Sequence, residues 1–214
     1  MTERTTTPGG RQPAIVLAVV LACQLMVGID ATIVNIALPE IQTQLHFSQT
    51  GLAWVFNAYT LAFGGLLLLG GRAGDLLGRR RMFAFGVLLF TVASLLGGFA
   101  TQSWWLVAAR ALQGVGGAMA SPNVLSLIMS NYEDGPRRTQ ALSVFAAASS
   151  ASLALGLLAG GVLTSAGSWR WVFFVNVSIG AAILALTPVF LRETETHRGR
   201  FDLAGAITAT AGVA

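Results

Sequence analysis

Charged residues make up only 10% of this 214-residue chain, against 54% hydrophobic residues. With a mean hydropathy of +0.69, that balance excludes the soluble globular classes and points to an integral membrane protein. Lysine is absent, and all thirteen basic residues are arginine; this is a compositional bias rather than a physical requirement. Cysteine occurs once, as Cys23 inside the first apolar run, which excludes an intrachain disulfide or a cysteine metal cluster and leaves a buried packing role. Neither histidine, His46 or His197, has metal-ligand spacing. A basic face is also missing. The formal charge of +4 comes from arginines in short loops between apolar runs, so a nucleic-acid partner is not expected. Gly114-Val115-Gly116-Gly117 follows no strand and has the wrong spacing for a phosphate loop. No nucleophile, base and orienter fall at enzyme-like spacing.

What the chain does have is apolar runs of spanning length, at roughly 14–38, 51–70, 82–101, 103–130, 139–165 and 170–191. These predict an all-α membrane protein with a polar tail over 1–13, a six-helix domain over 14–191, a linker over 192–200 and a seventh helix beginning near Phe201. That last run reaches Ala214 after about fourteen residues, too few to cross a bilayer at about 1.5 Å per residue, so a truncated helix is expected over 201–214. The first run is too long for a secretory signal and carries no A-x-A-like cleavage site, and it is expected to be retained. Orientation follows from the arginines. Placing the N-terminus inside puts eleven of them on the cytoplasmic side and only Arg170 outside, with Arg110 in the membrane. The five tryptophans, Trp54, Trp104, Trp105, Trp169 and Trp171, then cluster near the outer ends of helices.

Two ionisable residues interrupt the apolar runs. A charge in hydrocarbon costs several kcal/mol, about 2.5–3.5 on insertion scales, so Asp30 and Arg110 are candidate site residues. Asp30 lies nine residues before Pro39 and Arg110 seven after Ser103, which puts both roughly 10–13 Å below the outer surface and within reach of each other. On the fourth helix Arg110, Gln113, Gly114, Gly117 and Ser121 share one face, a stripe that cannot meet lipid. On the first helix Gln24, Gly28 and Asn35 share a face while Asp30 points about 130° away, so that helix is expected to be largely enclosed. The second helix offers Trp54, Asn57, Tyr59 and Thr60 as a mixed aromatic and polar wall. With Gln113 and Ser121, Asn57 and Tyr59 are candidates for a substrate cavity.

Four stretches carry a family resemblance. Gly71-Arg72-Ala73-Gly74-Asp75-Leu76-Leu77-Gly78-Arg79-Arg80-Arg81 reads as a tight turn at a membrane surface, with Asp75 and Arg79 spaced to pair. It resembles the G-x-L-A-D-R-x-G-R-R/K signature of the major facilitator superfamily. Asp30 through Pro39 is similar to the first-helix D-x-T-V-V-N-V-A-L-P motif of the fourteen-helix drug:proton antiporters. Leu106 through Ala118, with Arg110, Gln113, Gly114, Gly116 and Gly117, is similar to the fourth-helix L-x-x-x-R-x-x-Q-G-x-G-x-A motif. Trp169 through Asn176 resembles W-R-W-I-F-x-x-N at the sixth helix.

The resemblance implies a six-helix N-terminal half of such a transporter, built from two three-helix inverted repeats. By that resemblance the chain takes part in proton-coupled efflux of drugs or other small molecules across the cell membrane. Asp30 would exchange the proton under the influence of Arg110. Gly71, Asp75, Gly78, Arg79 and Arg80 would form a cytoplasmic latch between the two halves. The proton gradient replaces any cofactor, and the implied partners are the substrate, protons, the bilayer and a missing C-terminal half. Two departures stand out: Leu157 and Val177 occupy positions where the family carries proline. In the fifth helix Gly156, Gly160 and Gly161 remain, as do Gly114 and Gly117 in the fourth, and their simplest use is close helix packing. A sugar or metabolite transporter on the same fold, or a membrane protein that binds a partner without transporting, are the competing readings.

Overall fold

Apolar segments that must satisfy every backbone amide within themselves become helices. The computed structural model describes residues 11–191, in which six helices follow one another: α1 (Arg11–Gln44), α2 (Gln49–Leu77), α3 (Arg79–Gly98), α4 (Ser103–Asn131), α5 (Pro136–Ala166) and α6 (Trp171–Phe190). Arg192 to Arg200 and the expected seventh helix lie outside the described residues, as do Arg4 and His197. Five of the helices are long and apolar enough to cross a membrane, and α4 is the exception. It carries Arg110, Gln113 and Asn123, all buried, and packs against α1, α2 and α3. A helix walled by protein does not need an apolar surface all round.

Two boundaries differ from the sequence reading. α1 runs through Pro39 to Gln44, because Ile41 and Leu45 beyond the proline are buried in a core with Phe47, Leu106 and Trp169. α2 extends to Leu77, so a single non-helical residue, Gly78, separates it from α3. Gly78 has φ +103° and ψ 127°, a backbone state that residues with a Cβ rarely adopt. Gly71 and Gly74 are therefore not turn residues. They lie within α2 and face Pro122 and Asn123 of α4.

The packing has an internal symmetry. α1 packs on α5 and α6, while α4 packs on α2 and α3; α3 also meets α6, and α1 meets α4. Exchanging the first three helices with the second three reproduces this pattern. Each set has an odd number of spans, so the second begins on the opposite side of the molecule from the first, giving two inverted three-helix repeats. Several glycines lie where two helices come close. Gly114 of α4 lies against the Tyr59 carbonyl of α2, and Gly156 and Gly160 of α5 lie against Ile29 and Ile33 of α1. Gly117 faces the Phe63 ring, whereas Gly161 faces open space. Leu157 is exposed and α5 is continuous through it.

At Gly86 of α3 an added Cβ would sit 2.6 Å from the Ala120 nitrogen and 2.7 Å from the Gly116 oxygen, both on the α4 backbone. Those atoms cannot step aside singly. Gly86→Leu is expected to destabilise the fold by about 1–3 kcal/mol or more, as overpacked cores do, read as a lower unfolding temperature of the detergent-solubilised protein.

One end of the bundle is rich in arginine and the other in tryptophan. At the arginine-rich end Arg79 pairs with Asp75 at 3.1 Å, and Arg80 donates to the Leu191 carbonyl at 3.2 Å, past the last turn of α6. Tyr132 donates to the Pro13 carbonyl at 2.7 Å. Burial raises its phenol above the ordinary value of 10.0. At the other end Trp54, Trp104 and Trp171 are exposed, as interfacial indoles are. Trp169 differs, being fully buried and donating to the Gln44 Oε1 at 2.9 Å. Arg170, the lone arginine of this end among the described residues, stacks over Trp169 and donates to the Gln44 side chain and the Ala100 carbonyl.

Candidate functional site

The buried apolar residues form two clusters along the bundle, and a polar layer divides them. On α1 one cluster ends with Met26 and Val27 and the other starts at Ile33, with Asp30 between. On α4 the break between Leu106 and Ala120 holds Arg110 and Gln113. On α6 the break between Phe173 and Ile183 holds Asn176, and the break between Phe90 of α3 and Ala100, just past its end, holds Ser94. Asp30, Ser94, Arg110, Gln113 and Asn176 are each 0% exposed. A charge at such a position persists only if it is paired and hydrogen-bonded.

The pairing is direct. The Arg110 Nη1 donates to Asp30 Oδ2 at 2.5 Å and to Gln113 Oε1 at 3.1 Å, and its Nε donates to the Val55 carbonyl of α2 at 3.0 Å. The guanidinium carbon lies 4.3 Å from the centre of the Tyr59 ring, a cation–π contact, and the Nη2 is buried with no hydrogen-bond partner. The other carboxylate oxygen, Asp30 Oδ1, accepts from Gln113 Nε2 at 3.0 Å and from Asn176 Nδ2 at 2.7 Å. Gln113 also donates to the Ser94 hydroxyl at 2.8 Å, and Ser94 donates in turn to the Phe90 carbonyl. One carboxylate thus gathers side chains or backbone from α2, α3, α4 and α6 around α1. In a low-dielectric layer such a network is strong when complete and costly when broken.

The expected residues are distributed unevenly around this centre. The structure brings together Asp30, Arg110, Gln113 and Tyr59. Asn57 and Thr60 are exposed on α2, away from the charge pair, and Ser121 is partly exposed with its Oγ unpartnered. Asn35 is exposed, while Gly28 sits against Ser152 of α5, so the two polar faces of α1 serve different neighbours. Asp75, Arg79 and Arg80 stand at the arginine-rich end, remote from the pair along the chain. The sequence reading missed Ser94 and gave Asn176 no partner. Asn176 is six residues past Arg170, about 9 Å down α6, which matches the depth of Arg110; the same arithmetic applied to α6 finds it. Nothing in the side-chain pattern signals Val55, whose contribution is its backbone carbonyl. Among the described residues no three of His, Cys, Asp and Glu group as metal ligands.

Sequence and structure comparisons agree with this architecture. The Major Facilitator Superfamily family model matches residues 20–212. The chain is 48% identical over 187 residues to the MFS-type transporter EfpA of Mycobacterium tuberculosis, covering 87% of this chain and 35% of that protein. It is 48% identical to the puromycin resistance protein pur8 of Streptomyces alboniger, covering 92% of this chain and 39% of that one. It is 45% identical to the cephamycin export protein CmcT of Amycolatopsis lactamdurans, covering 92% and 41%. The chain therefore spans well under half the length of these relatives. In fold it resembles the crystal structure of a peptide transporter POT bound to sulfate, with a TM-score of 0.75 at 18% identity, covering 99% of this chain and 46% of that one. The six helices, their inverted repeats and the matched residues together make this an integral membrane chain that belongs to the major facilitator superfamily.

Proposed function

We propose that this chain is the first half of a proton-coupled exporter of drug-like small molecules, and that it works by alternating access against a second six-helix half. The observation that carries this reading is the Asp30–Arg110 pair, held without solvent exposure in a polar layer between two apolar ones. A buried acid whose charge is balanced by one base is poised to exchange a proton with a change in helix packing. The printed roles of pur8 and CmcT, puromycin resistance and cephamycin export, support an exported drug as cargo. In this reading the chain is not an enzyme, and its partners are the cargo, protons, lipid and the second half. It sits in the cell membrane with the arginine-rich end and N-terminus in the cytoplasm. Asn57, Tyr59, Gln113 and Ser121 contribute to the cargo cavity, and no cofactor is needed beyond the proton gradient.

The test uses a transporter in which this chain is joined to its second half, in inside-out vesicles acidified on the inside. Uptake of puromycin or a related drug is expected while the gradient lasts and is lost when a protonophore collapses it. Uptake indifferent to the gradient sinks the coupling.

A latch at the arginine-rich end belongs to the same proposal. The Asp75–Arg79 pair is partly exposed, with side chains 39% and 27% accessible, and such pairs contribute below about 1 kcal/mol to stability. Asp75→Asn is therefore expected to leave expression and insertion intact while slowing transport severalfold. Unchanged turnover would reduce the motif to a topology signal.

A further inference from the structure

Asn176 has a feature that the ion pair does not explain. Its Nδ2 donates to Asp30 Oδ1 at 2.7 Å, yet its own Oδ1 is buried with no hydrogen-bond partner. A buried amide oxygen left unmet is costly. We propose that Asn176 reads the protonation state of Asp30 by turning its amide over, donating to the carboxylate and accepting from the carboxylic acid. This rests on the proton-coupling reading above and deepens it.

Of the groups that touch the carboxylate, one can accept a hydrogen bond from it once protonated. A proton arriving on Asp30 needs an acceptor, and Arg110 has none to offer, since a guanidinium only donates. Gln113 is locked in its present sense. Its Oε1 accepts from Arg110 and its Nε2 also donates to Ser94, so turning it would set NH₂ against a guanidinium N–H and would oblige the Ser94 hydroxyl to leave the Phe90 carbonyl to which it now donates. Tyr59 engages Arg110 through its ring face. Asn176 alone has a free acceptor, and rotation about its last side-chain bond brings that oxygen to where Nδ2 now stands. Its other contact, to the Val172 carbonyl at 3.5 Å, is at the limit of a hydrogen bond and opposes the turn weakly.

Either orientation leaves one polar atom of the amide unmet, Oδ1 now and Nδ2 after turning. The charge on Asp30 is then what selects between them. The step is simple in its balance: a hydronium ion gives up a proton, so that one of its O–H bonds breaks as an O–H bond forms on Asp30 Oδ1, a water molecule is released, and the amide rotates. Its consequence is that Asp30 can be neutralised while α1 and α6 stay joined, so the core need not open for the proton to be held. The charged side chain on the carboxylate is Arg110 of α4, and Tyr59 of α2 lies behind it against the guanidinium; α3 presents Ser94, through Gln113, and α6 presents Asn176.

Infrared difference spectra between alkaline and acidic pH, on the joined transporter in lipid with ¹³C-labelled asparagine side-chain carbonyls, test this. A carboxylic-acid band assigned to Asp30 by its loss in Asp30→Asn is expected to rise on acidification. A labelled amide carbonyl band, assigned by its loss in Asn176→Ser, should move to lower frequency with the same midpoint as its oxygen gains a proton donor. A rising carboxyl band beside an unmoved Asn176 band overturns the switch alone. The absence of any Asp30 carboxyl band overturns the switch together with the coupling. In transport, Asn176→Leu, which can neither donate nor accept, is expected to lower gradient-driven uptake about tenfold. Asn176→Ser keeps a hydroxyl that does both and is expected to recover most of that loss; equal uptake by the two variants overturns the proposal.

Discussion

Arg110→Ala is expected to cost the protein a large share of its stability in the membrane, and Asp30→Leu with Arg110→Met to restore it. The single change leaves a carboxylate with no exposure without its cation. It also removes the donors to Val55 and Gln113 and empties the space beneath the Tyr59 ring. Breaking a buried pair from one side costs about 3–5 kcal/mol, against a total stability of about 5–15 kcal/mol for a typical domain. The double change removes both charges and keeps the volume, which buried pairs generally tolerate. The measurement is the fraction of monodisperse protein after detergent extraction, with its unfolding temperature. Equal behaviour of wild type and Arg110→Ala would show that the polar layer bears little on folding. The double variant also separates two roles for the pair: if it folds but fails in gradient-driven uptake, the pair serves coupling, whereas full uptake makes it a structural orienter of α1 and α4.

Asp30→Asn in the joined transporter is expected to abolish drug uptake driven by a pH gradient while drug binding persists. The amide has nearly the shape of the carboxyl group but cannot take up and release a proton in the working range. Arg110 keeps three of its anchors in this variant, namely the Val55 carbonyl, Gln113 Oε1 and the Tyr59 ring, so the loss of the carboxylate is partly offset. Binding measured by equilibrium dialysis and transport measured in acid-loaded vesicles should therefore separate, with transport falling at least about a hundredfold on the scale of a lost proton carrier. Gradient-driven uptake that persists in Asp30→Asn would move the proton site elsewhere in the protein.

The depth arithmetic that paired these two residues succeeded for a reason that the helix boundaries conceal. Measured from Gln44, where α1 ends, Asp30 is fourteen residues in, about 21 Å, far deeper than Arg110 on α4. Pro39 was the better marker because the last turns of α1 carry Glu40, Thr43 and Gln44, two of them exposed, and Trp169 and Arg170, in the turn before α6, hold Gln44. Helix ends are thus poor rulers where a helix overshoots the layer it crosses. The glycines of the Gly71–Arg81 motif show a similar limit. Spacing alone suggests a loop, but Gly71 and Gly74 give their room to Pro122 and Asn123 of another helix. Only a neighbour absent from the local sequence decides between those uses.

The six helices of the described residues and their order, the buried acid and base, the small-residue face of α4 and the arginine asymmetry between the two described ends were all determined by the sequence itself. Each is a local property: run length against bilayer thickness, the cost of a charge in hydrocarbon, the period of a helix, the side on which a loop falls. The tertiary structure alone decided that Asn176, Ser94 and the Val55 carbonyl complete the shell around Asp30 and Arg110, and that α4 is the walled helix. It also decided that Trp169 is core rather than interface. Those outcomes depend on which helix faces which, and in a bundle whose surfaces are nearly all apolar, hydropathy carries no information about partners. The choice is made by a few close approaches at glycine and by polar groups that have nowhere else to find a hydrogen bond.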